Sequence, residues 1–345
     1  MAFPLSILDL VPVGTGSNAT QALKNTFELA RLADRLGYTR YWFAEHHNMP
    51  GVASAAPEIL IGAVARETVH LRVGSGGVML PNHAPLKVVE WFRTLEALYP
   101  GRIDLGLGRA PGTDQLTALA LRRSREALGA DDFTEQLAEM LAFDNANFPE
   151  THPFRAIQAV PFGVSLPPIW LLGSSDYSAQ VAAAMGMGFA FARHINPDGA
   201  EEAVQLYRER FSPSEHLAQP YAILTVSAIC ADTAERADEL ASSSALSFLR
   251  LRTGRPGLLP SVEEALAYPY TDLERAQLRA GRARHVLGDP ATVRARLEEL
   301  VAATGADEVM ITAMIHDHTA RLRSYELLAE VFALTPTDAP QPVGV

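Results

Sequence analysis

Short apolar runs alternate with longer stretches of helical periodicity along the whole chain. A short apolar run bounded by turn residues predicts a buried strand, and apolar residues three or four positions apart predict a helix. By these patterns each of eight predicted strands is followed by a helix. The predicted strands cover residues 6–11, 40–44, 71–74, 103–107, 169–172, 189–192, 222–231 and 308–312.

This regular alternation predicts a parallel sheet of the α/β class. Eight strand–helix units favour a closed, single-domain (β/α)8 TIM barrel, and an open doubly wound sheet is the alternative. The barrel domain is predicted to span residues 1–335, with insertions at about 110–168 and 253–287 and a disordered tail at 336–345. In such barrels the functional residues lie on the loops that follow the strands.

Composition and charge narrow the function classes. The 345 residues are 48% hydrophobic with a mean hydropathy of +0.04, which suits a globular protein with a large core. A net charge of −11 disfavours nucleic acid or an anionic membrane as a partner. No uncharged apolar run approaches the ~18 residues that span a bilayer, and the N-terminus lacks the basic region of a signal peptide. Because Cys230 is the single cysteine, no intramolecular disulfide can form, and we expect a cytoplasmic enzyme that acts on small molecules.

Histidines, glycines and an arginine follow three successive predicted strands. A histidine with a pKa near ~6.5 can shuttle protons, glycines let a flat ligand approach the backbone, and a fixed cation can stabilise negative charge. Each feature also has a plain alternative: a packed or solvated histidine, a bulge that closes the barrel, or an arginine paired with Asp104 or Asp114. The three groups are Glu45-His46-His47, Gly74-Ser75-Gly76-Gly77 and Gly108-Arg109.

In this order the three segments resemble the bacterial-luciferase-like flavin monooxygenase family, and the luciferase alpha-chain type in particular. The resemblance covers nearly the whole chain, and the combination of segments is what makes it specific. Two positions differ from luciferase: Gly108 stands where luciferase has a cysteine, and Gly173 stands where it has an acidic residue. The matching segments are Glu45-His46-His47, Arg72-Val-Gly-Ser-Gly-Gly-Val-Met-Leu-Pro-Asn-His-Ala-Pro85 and Gly101-Arg-Ile-Asp-Leu-Gly-Leu-Gly-Arg109.

The resemblance implies FMN as the cofactor and assigns roles to particular residues. His46, the first histidine after the glutamate, is implied as the catalytic acid/base, and His47 is expected to be structural. The peptide bond between Gly76 and Gly77 is implied to be cis and to lie beneath the flavin ring. Arg109 is implied to bind near the pyrimidine edge of that ring.

A second set of candidates lies between the fifth predicted strand and its helix. Backbone N–H groups at a helix start, aided by hydroxyls, can bind a phosphate, but a serine there also serves as an ordinary N-cap. The resemblance implies that the FMN phosphate binds at this junction, which makes Gly173, Ser174 and Ser175 expected binders and Ser178 a further candidate. His194, after the sixth strand, is expected to contact flavin or substrate. No Gly-x-Gly-x-x-Gly fingerprint follows a strand, so a Rossmann nicotinamide site is not supported.

The remaining histidines are interpreted structurally. His83 is expected to order its own turn, and His316 and His318 are expected to flank Asp317 as the N-cap of the last helix. No metal is predicted, because the side chains of adjacent histidines diverge. The segment 253–270, which contains glycines and three prolines, is predicted to cover the mouth of the pocket.

These features favour an FMN-dependent monooxygenase. It would use O2 and reduced FMN from a separate, transiently bound reductase, and act on a small, apolar organic substrate such as an aldehyde. One alternative keeps the fold but uses a deazaflavin for hydride transfer, and another is a flavin-binding protein without turnover. The resemblance also implies a homodimer that contacts through the helix at 57–65 and the helix after Pro85.

Overall fold

The computed structural model describes residues 3–124, 132–282 and 284–335. Within these ranges ten strands form one sheet, and every neighbouring pair of strands is parallel. The strands are β1 (Leu5–Asp9), β2 (Arg40–Phe43), β3 (Arg72–Ser75), β4 (Val78–Met79), β5 (Ile103–Gly108), β6 (Ile169–Gly173), β7 (Gly188–Ala192), β8 (Ala222–Cys230), β9 (His285–Gly288) and β10 (Glu308–Thr312).

The sheet closes on itself through eight of these strands. Their order is β1, β2, β3, β5, β6, β7, β8 and β10, and β10 pairs with both β8 and β1. The short strand β4 follows β3 after two residues and pairs with β5. The strand β9 pairs with the second half of β8. The predicted single-domain (β/α)8 TIM barrel is therefore confirmed, and the open doubly wound sheet is excluded. The predicted tail at 336–345 lies outside the described residues.

Helices connect the strands and pack around the barrel. The side chain of Asn18 caps the first of them by accepting from the N–H of Gln21, and Gly37 ends it in the left-handed conformation. Pro57 and Pro85 lie in the first turns of the next two long helices, where no intrahelical bond is lost. No helix in the described ranges is both long and apolar enough to cross a membrane. The helices are Ala19–Leu36, Pro57–Glu67, Pro85–Leu98, Gln115–Arg122, Phe133–Asn145, Asp176–Met185, Ala200–Arg210, Ala234–Arg252, Val262–Ala267, Asp272–Arg282, Pro290–Thr304 and His318–Val331, with a 3₁₀ turn at Leu80–Asn82.

The two predicted insertions contain regular structure that the sequence pattern did not predict. In the first insertion the pattern predicts one helix within residues 133–148; the structure has it at Phe133–Asn145, and a further helix, Gln115–Arg122, precedes it. The second insertion contains the helices Val262–Ala267 and Asp272–Arg282 and then β9. The helix Asp272–Arg282 has no fully buried residue, and its Leu278 packs, partly buried, against the small apolar cluster of Leu246, Leu249 and Ala265 rather than against the main core.

A buried charge network closes the N-terminal end of the barrel. Arg40, the first residue of β2, donates to Asp104 at 2.7 Å and to Glu308 at 3.1 Å, and Arg72 donates to Asp104 at 2.7 Å. The guanidinium carbon of Arg40 also lies 4.6 Å from the ring centre of Trp170. Charges removed from water are tolerated when they are paired in this way. A ligand therefore has access from the opposite, C-terminal end, where enzymes of this fold have their active sites.

Candidate active site

Five neighbouring strands present the candidate residues at the C-terminal end of the barrel. β2, β3, β5, β6 and β7 are consecutive neighbours in the sheet, and parallel strands end at the same edge. The structure thus brings the residues singled out in the sequence to one edge. They are His46 after β2, Gly76 and Gly77 after β3, Arg109 after β5, residues 173–175 at the end of β6, and His194 after β7.

The peptide bond between Gly76 and Gly77 is cis, as the resemblance implied. A Cβ atom on Gly76 would lie 2.6 Å from Cδ1 of Leu8, and one on Gly77 would lie 2.8 Å from the carbonyl oxygen of Gly106. Both separations are too short for real atoms, so any other residue would displace its neighbours. Glycine at these two positions therefore keeps the backbone flat against the barrel interior.

Glu45 is a buried acceptor that connects the loops after β2 and β3. Its carboxylate accepts hydrogen bonds from Nε2 of His47 at 2.8 Å, from Nε2 of His83 at 3.0 Å and from the backbone N–H of Met79 at 2.9 Å. Burial raises the carboxyl pKa, but these hydrogen bonds outweigh it and lower the pKa to about 2. Glu45 is therefore ionised at neutral pH, and the structural roles expected for His47 and His83 are consistent with these contacts.

His46 is held by the loop that follows β5. Its backbone N–H donates to the carbonyl oxygen of Ser54 at 2.9 Å, and its Nδ1 lies 3.2 Å from the carbonyl oxygen of Gly112. A carbonyl oxygen can only accept a hydrogen bond, so the proton lies on Nδ1 and Nε2 keeps its lone pair. Burial lowers the pKa of His46 below the usual 6.5. At neutral pH the side chain is thus a neutral imidazole that can accept a proton at Nε2.

A second neutral imidazole, His194, lies close to His46. Burial, together with the nearby imidazoles of His46 and His285, lowers the pKa of His194 to about 4, and a hydrogen bond to the backbone of Thr225 only partly opposes this shift. Within the described part of the chain, the buried Nδ1 of His194 has no hydrogen-bond partner. A buried nitrogen without a partner costs free energy, so this atom is suited to a ligand.

The junction between β6 and the helix Asp176–Met185 has the features of an anion site. Ser175 is the N-cap residue, but its side chain makes no capping hydrogen bond, so the ordinary N-cap interpretation is not realised. Ser175 is exposed, and the backbone N–H groups of the first helical turn lie beside it. Ser178 is buried instead, and its hydroxyl donates to the carbonyl oxygen of Leu172 at 3.1 Å. The hydroxyl of Ser178 thus braces the strand end and occupies the space that a side chain on Gly173 would need.

Arg109 extends toward this same junction. Its guanidinium carbon lies 4.2 Å from the ring centre of Tyr177, which belongs to the first turn of the helix Asp176–Met185. Asp104, a partner considered from the sequence, lies near the opposite end of β5 and binds Arg40 and Arg72. The cation of Arg109 is therefore located beside the candidate anion site.

Two residues of this region were missed by the sequence analysis. His285 begins β9, and its Nδ1 lies 2.7 Å from the hydroxyl oxygen of Ser227 in β8. His285 also lies close enough to His194 to lower its pKa. The sequence offers no local signal for this pairing, because the two partners are 58 positions apart and His285 lies in the predicted insertion at about 253–287, where no strand was predicted.

The other histidines of the C-terminal loops contact neighbouring segments, which is consistent with the structural roles expected for them. His316 lies with its Nε2 3.0 Å from the carbonyl oxygen of Thr15, and Asp317 caps the last helix by accepting from the N–H of Ala320 at 2.7 Å. His318 contacts Glu28 at 3.1 Å. Within the described residues, no group of three or more His, Cys, Asp or Glu side chains is arranged to hold a metal ion.

Comparisons with known proteins find similar sequences and structures over most of the chain. A family model described as luciferase-like monooxygenase matches residues 3–308. A luciferase-like monooxygenase of Escherichia coli (strain K12) is 46% identical over 327 residues, which are 94% of this chain and 96% of that protein. The N-acetyl-S-alkylcysteine monooxygenase of Bacillus subtilis (strain 168) is 36% identical over 329 residues, which are 94% and 97% of the two chains. The crystal structure of apo-MsnO8 superimposes with a TM-score of 0.88 at 41% identity, covering 97% of this chain and 99% of that one.

Proposed function

This chain belongs to the luciferase-like monooxygenase family, and on that premise we propose that it is an FMN-dependent monooxygenase acting on a small organic substrate. Reduced FMN, when bound, supplies the electrons that activate O2. A deazaflavin has carbon in place of the flavin N5, and it transfers hydride rather than activating O2. The monooxygenase names of close, full-length relatives therefore favour FMN over the deazaflavin alternative.

The cis glycine pair and the two neutral imidazoles fit a planar ring. Gly76 and Gly77 offer a surface without side chains above Leu8, and a flat ring can lie against it. His194 has a buried Nδ1 without a partner in the described part of the chain, which suits a polar atom on such a ring. His46 would hold or release a proton at Nε2 next to the reacting atoms.

The FMN phosphate is proposed to bind between Ser174, Ser175 and Arg109. The hydroxyl of Ser175 is not used for capping, the helix start contributes backbone N–H groups, and the guanidinium lies against Tyr177 in the same turn. This assignment moves Arg109 from the pyrimidine edge, expected from the resemblance, to the phosphate. Asp176 in the first turn weakens the anion site only in part, because its carboxylate accepts a hydrogen bond from the side-chain amide of Gln180.

The cofactor proposal rests on one observation at the start of the helix after β6. There the N-cap serine makes no capping hydrogen bond with its side chain, and an arginine lies beside it. It is tested by anaerobic titration of the protein with reduced FMN, reduced riboflavin and a reduced deazaflavin. Replacing Ser174 and Ser175 together by Ala removes two donors to phosphate, so the affinity for reduced FMN is expected to fall about tenfold. The affinity for riboflavin, which lacks the phosphate, is expected to stay the same.

The variant Ser242→Ala, at a half-buried position of the helix Ala234–Arg252 outside the proposed phosphate junction, is the matched control and is expected to bind like the wild type. Tighter binding of the deazaflavin would support the hydride-transfer alternative. Equal losses of affinity for FMN and riboflavin would contradict the proposal that the phosphate binds at this junction. Binding of reduced FMN without any change in its rate of reoxidation by O2 would support a passive flavin-binding protein.

Two partners belong to the same proposal. Reduced FMN is proposed to come from a separate reductase, since no nicotinamide fingerprint follows any strand. A homodimer is proposed through the helices Pro57–Glu67 and Pro85–Leu98, which border a groove of about 760 Å³ with exposed Ile59 and Leu98 on its walls. The single, buried Cys230 has a pKa raised to about 12 by burial, which suits a reducing compartment such as the cytoplasm.

A further inference from the structure

A cationic cleft lies beside the active-site edge. It has a volume of about 470 Å³ and opens between the end of the helix Asp272–Arg282, the strand β9 and the helix Pro290–Thr304. None of the residues proposed to bind FMN lines it. Its polar lining consists of Arg279, Arg282, His285, Thr292 and Arg296.

The positive charge of the cleft is only partly compensated. Arg282 pairs with Asp238 and Arg296 pairs with Glu299 at 2.6 Å, but both pairs are about half exposed and contribute little. Within the described residues Arg279 forms no ion pair. In a protein with a net charge of −11, such a concentration of arginines favours an anionic ligand.

The cleft borders the active-site edge, because β9, which lines the cleft, pairs with the second half of β8, the neighbour of β7. His285 pairs in register with Ser227, and Ser227 pairs with Thr312 at the C-terminal end of β10. Arg193, which follows β7, donates to the carbonyl oxygen of Arg284 at 3.2 Å just before β9 begins. His285 also lies close enough to His194 to lower the pKa of His194, and so does His46. His285 therefore lies between the cleft and the two imidazoles of the candidate site.

We propose that this cleft binds a carboxylate of the substrate, so that the enzyme acts on small organic acids whose apolar part extends past His285 toward His46. Arginine matches a carboxylate well, because its planar fork can donate two parallel hydrogen bonds. The phosphate of FMN has a separate site at the end of β6, two strands away from β8 in the sheet. The inference rests on the proposed monooxygenase function and adds the class of its substrate.

The test uses hexanoate and hexanamide, which have the same apolar tail and differ in charge. Their binding to the flavin-free full-length protein is measured by calorimetry at low ionic strength. Hexanoate is expected to bind at least tenfold more tightly than hexanamide. The variant carrying both Arg279→Gln and Arg296→Gln is expected to lose about tenfold in hexanoate affinity and nothing in hexanamide affinity. Both arginines are exposed, so this variant is expected to melt like the wild type.

The matched control is Arg275→Gln, one turn before Arg279 on the same helix and outside the cleft, which is expected to bind hexanoate normally. Equal affinities for hexanoate and hexanamide, no saturation by hexanoate below about 10 mM, or equal losses in Arg275→Gln would each overturn the proposal. Inorganic phosphate that binds through Arg279 and Arg296 while hexanoate does not would make the cleft a phosphate site instead. Titration with reduced FMN in parallel separates the two proposals. Normal FMN binding without hexanoate binding would contradict only the proposed carboxylate site in the cleft. Hexanoate binding without FMN binding would contradict the cofactor assignment.

Discussion

His46 and His194 are two imidazoles near each other whose surroundings differ. The Nδ1 of His46 faces the carbonyl oxygen of Gly112, whereas the Nδ1 of His194 is buried without a partner in the described part of the chain. Glu45, which precedes His46, is already committed to three donors and stays ionised. At the scale of single residues, the hydrogen-bond partner of each ring therefore separates the expected roles: His46 for proton transfer and His194 for contact with the ring.

This difference predicts the pH dependence of the reaction. A pKa below 6.5 keeps His46 neutral at pH 7, and the neutral form is lost as the pH falls through that lowered pKa. We expect the rate at which O2 reoxidises bound reduced FMN to depend on pH below pH 6.5, which gives the pH–rate profile an acid limb. This limb is expected to vanish in His46→Ala. The measurement is stopped-flow absorbance between pH 4 and 8.

The exposed His216 provides the control, since His216→Ala is expected to keep the limb. A limb with a midpoint near pH 4 that vanishes in His194→Ala would assign the proton transfer to His194 instead.

At the scale of elements, the segment after the helix Ala234–Arg252 is bonded across the mouth of the barrel. The backbone of Leu259 donates to Val13 and accepts from Thr15, both at 2.9 Å, beside β1. Glu264 completes a capping box with Ser261 and also accepts from the hydroxyl of Thr15 at 2.8 Å. The sequence predicted that this segment covers the pocket, and these bonds are the contacts through which it would do so.

Removing the Glu264 carboxylate is expected to loosen this cover. Glu264→Ala breaks both the capping box and the bond to Thr15, and each exposed interaction stabilises by about 1 kcal/mol or less, so global stability should change little. Amide exchange in residues 258–267 is expected to become several-fold faster. Hydrogen–deuterium exchange detected by mass spectrometry measures this change, peptide by peptide.

Glu135→Ala is the matched control, because Glu135 is an exposed acidic residue in the first turn of another helix. Unchanged exchange in 258–267 for Glu264→Ala, or equal acceleration in Glu135→Ala, would show that the capping box does not hold the segment.

At the scale of the whole molecule, three well-exposed apolar side chains lie at or next to the groove beside the helices Pro57–Glu67 and Pro85–Leu98. Ile59 is 67% exposed and Leu98 is 63% exposed, and Phe162, 67% exposed, follows Val160 and Pro161 of the groove wall. A contiguous apolar surface of this kind is typical of a protein contact. The proposed homodimer would bury it.

Charge at this surface is therefore expected to separate the subunits. Ile59→Glu combined with Leu98→Glu places four carboxylates in a symmetric contact, which should convert a dimer into a monomer with little effect on the melting temperature. Light scattering after size exclusion measures the mass. Leu273→Glu, at a side chain that is 69% exposed on another helix, is the control and should leave the mass unchanged. A monomeric wild type, or a dimer in all three proteins, would contradict the proposed contact.

Much of the barrel and part of its site were predictable from local pattern. Each of the eight barrel strands lies within two residues of its predicted bounds, because an apolar run between turn residues specifies a buried strand without reference to the rest of the chain. The motif around Gly76 and Gly77 likewise specified a cis bond through its resemblance to a family. These features depend on residues that are close together in the sequence.

What the tertiary structure decided depends on contacts between distant segments. Arg109 lies on Tyr177 because β5 and β6 are neighbours in the sheet, and that contact moved its proposed role from the ring to the phosphate. His285 reaches the site because β9 pairs with the second half of β8. Periodicity reports which face of an element is buried, but it does not report which distant element lies against that face. For this reason the strand ends were predictable from the sequence, while the positions of Arg109 and His285, on which their proposed roles rest, followed only from the fold.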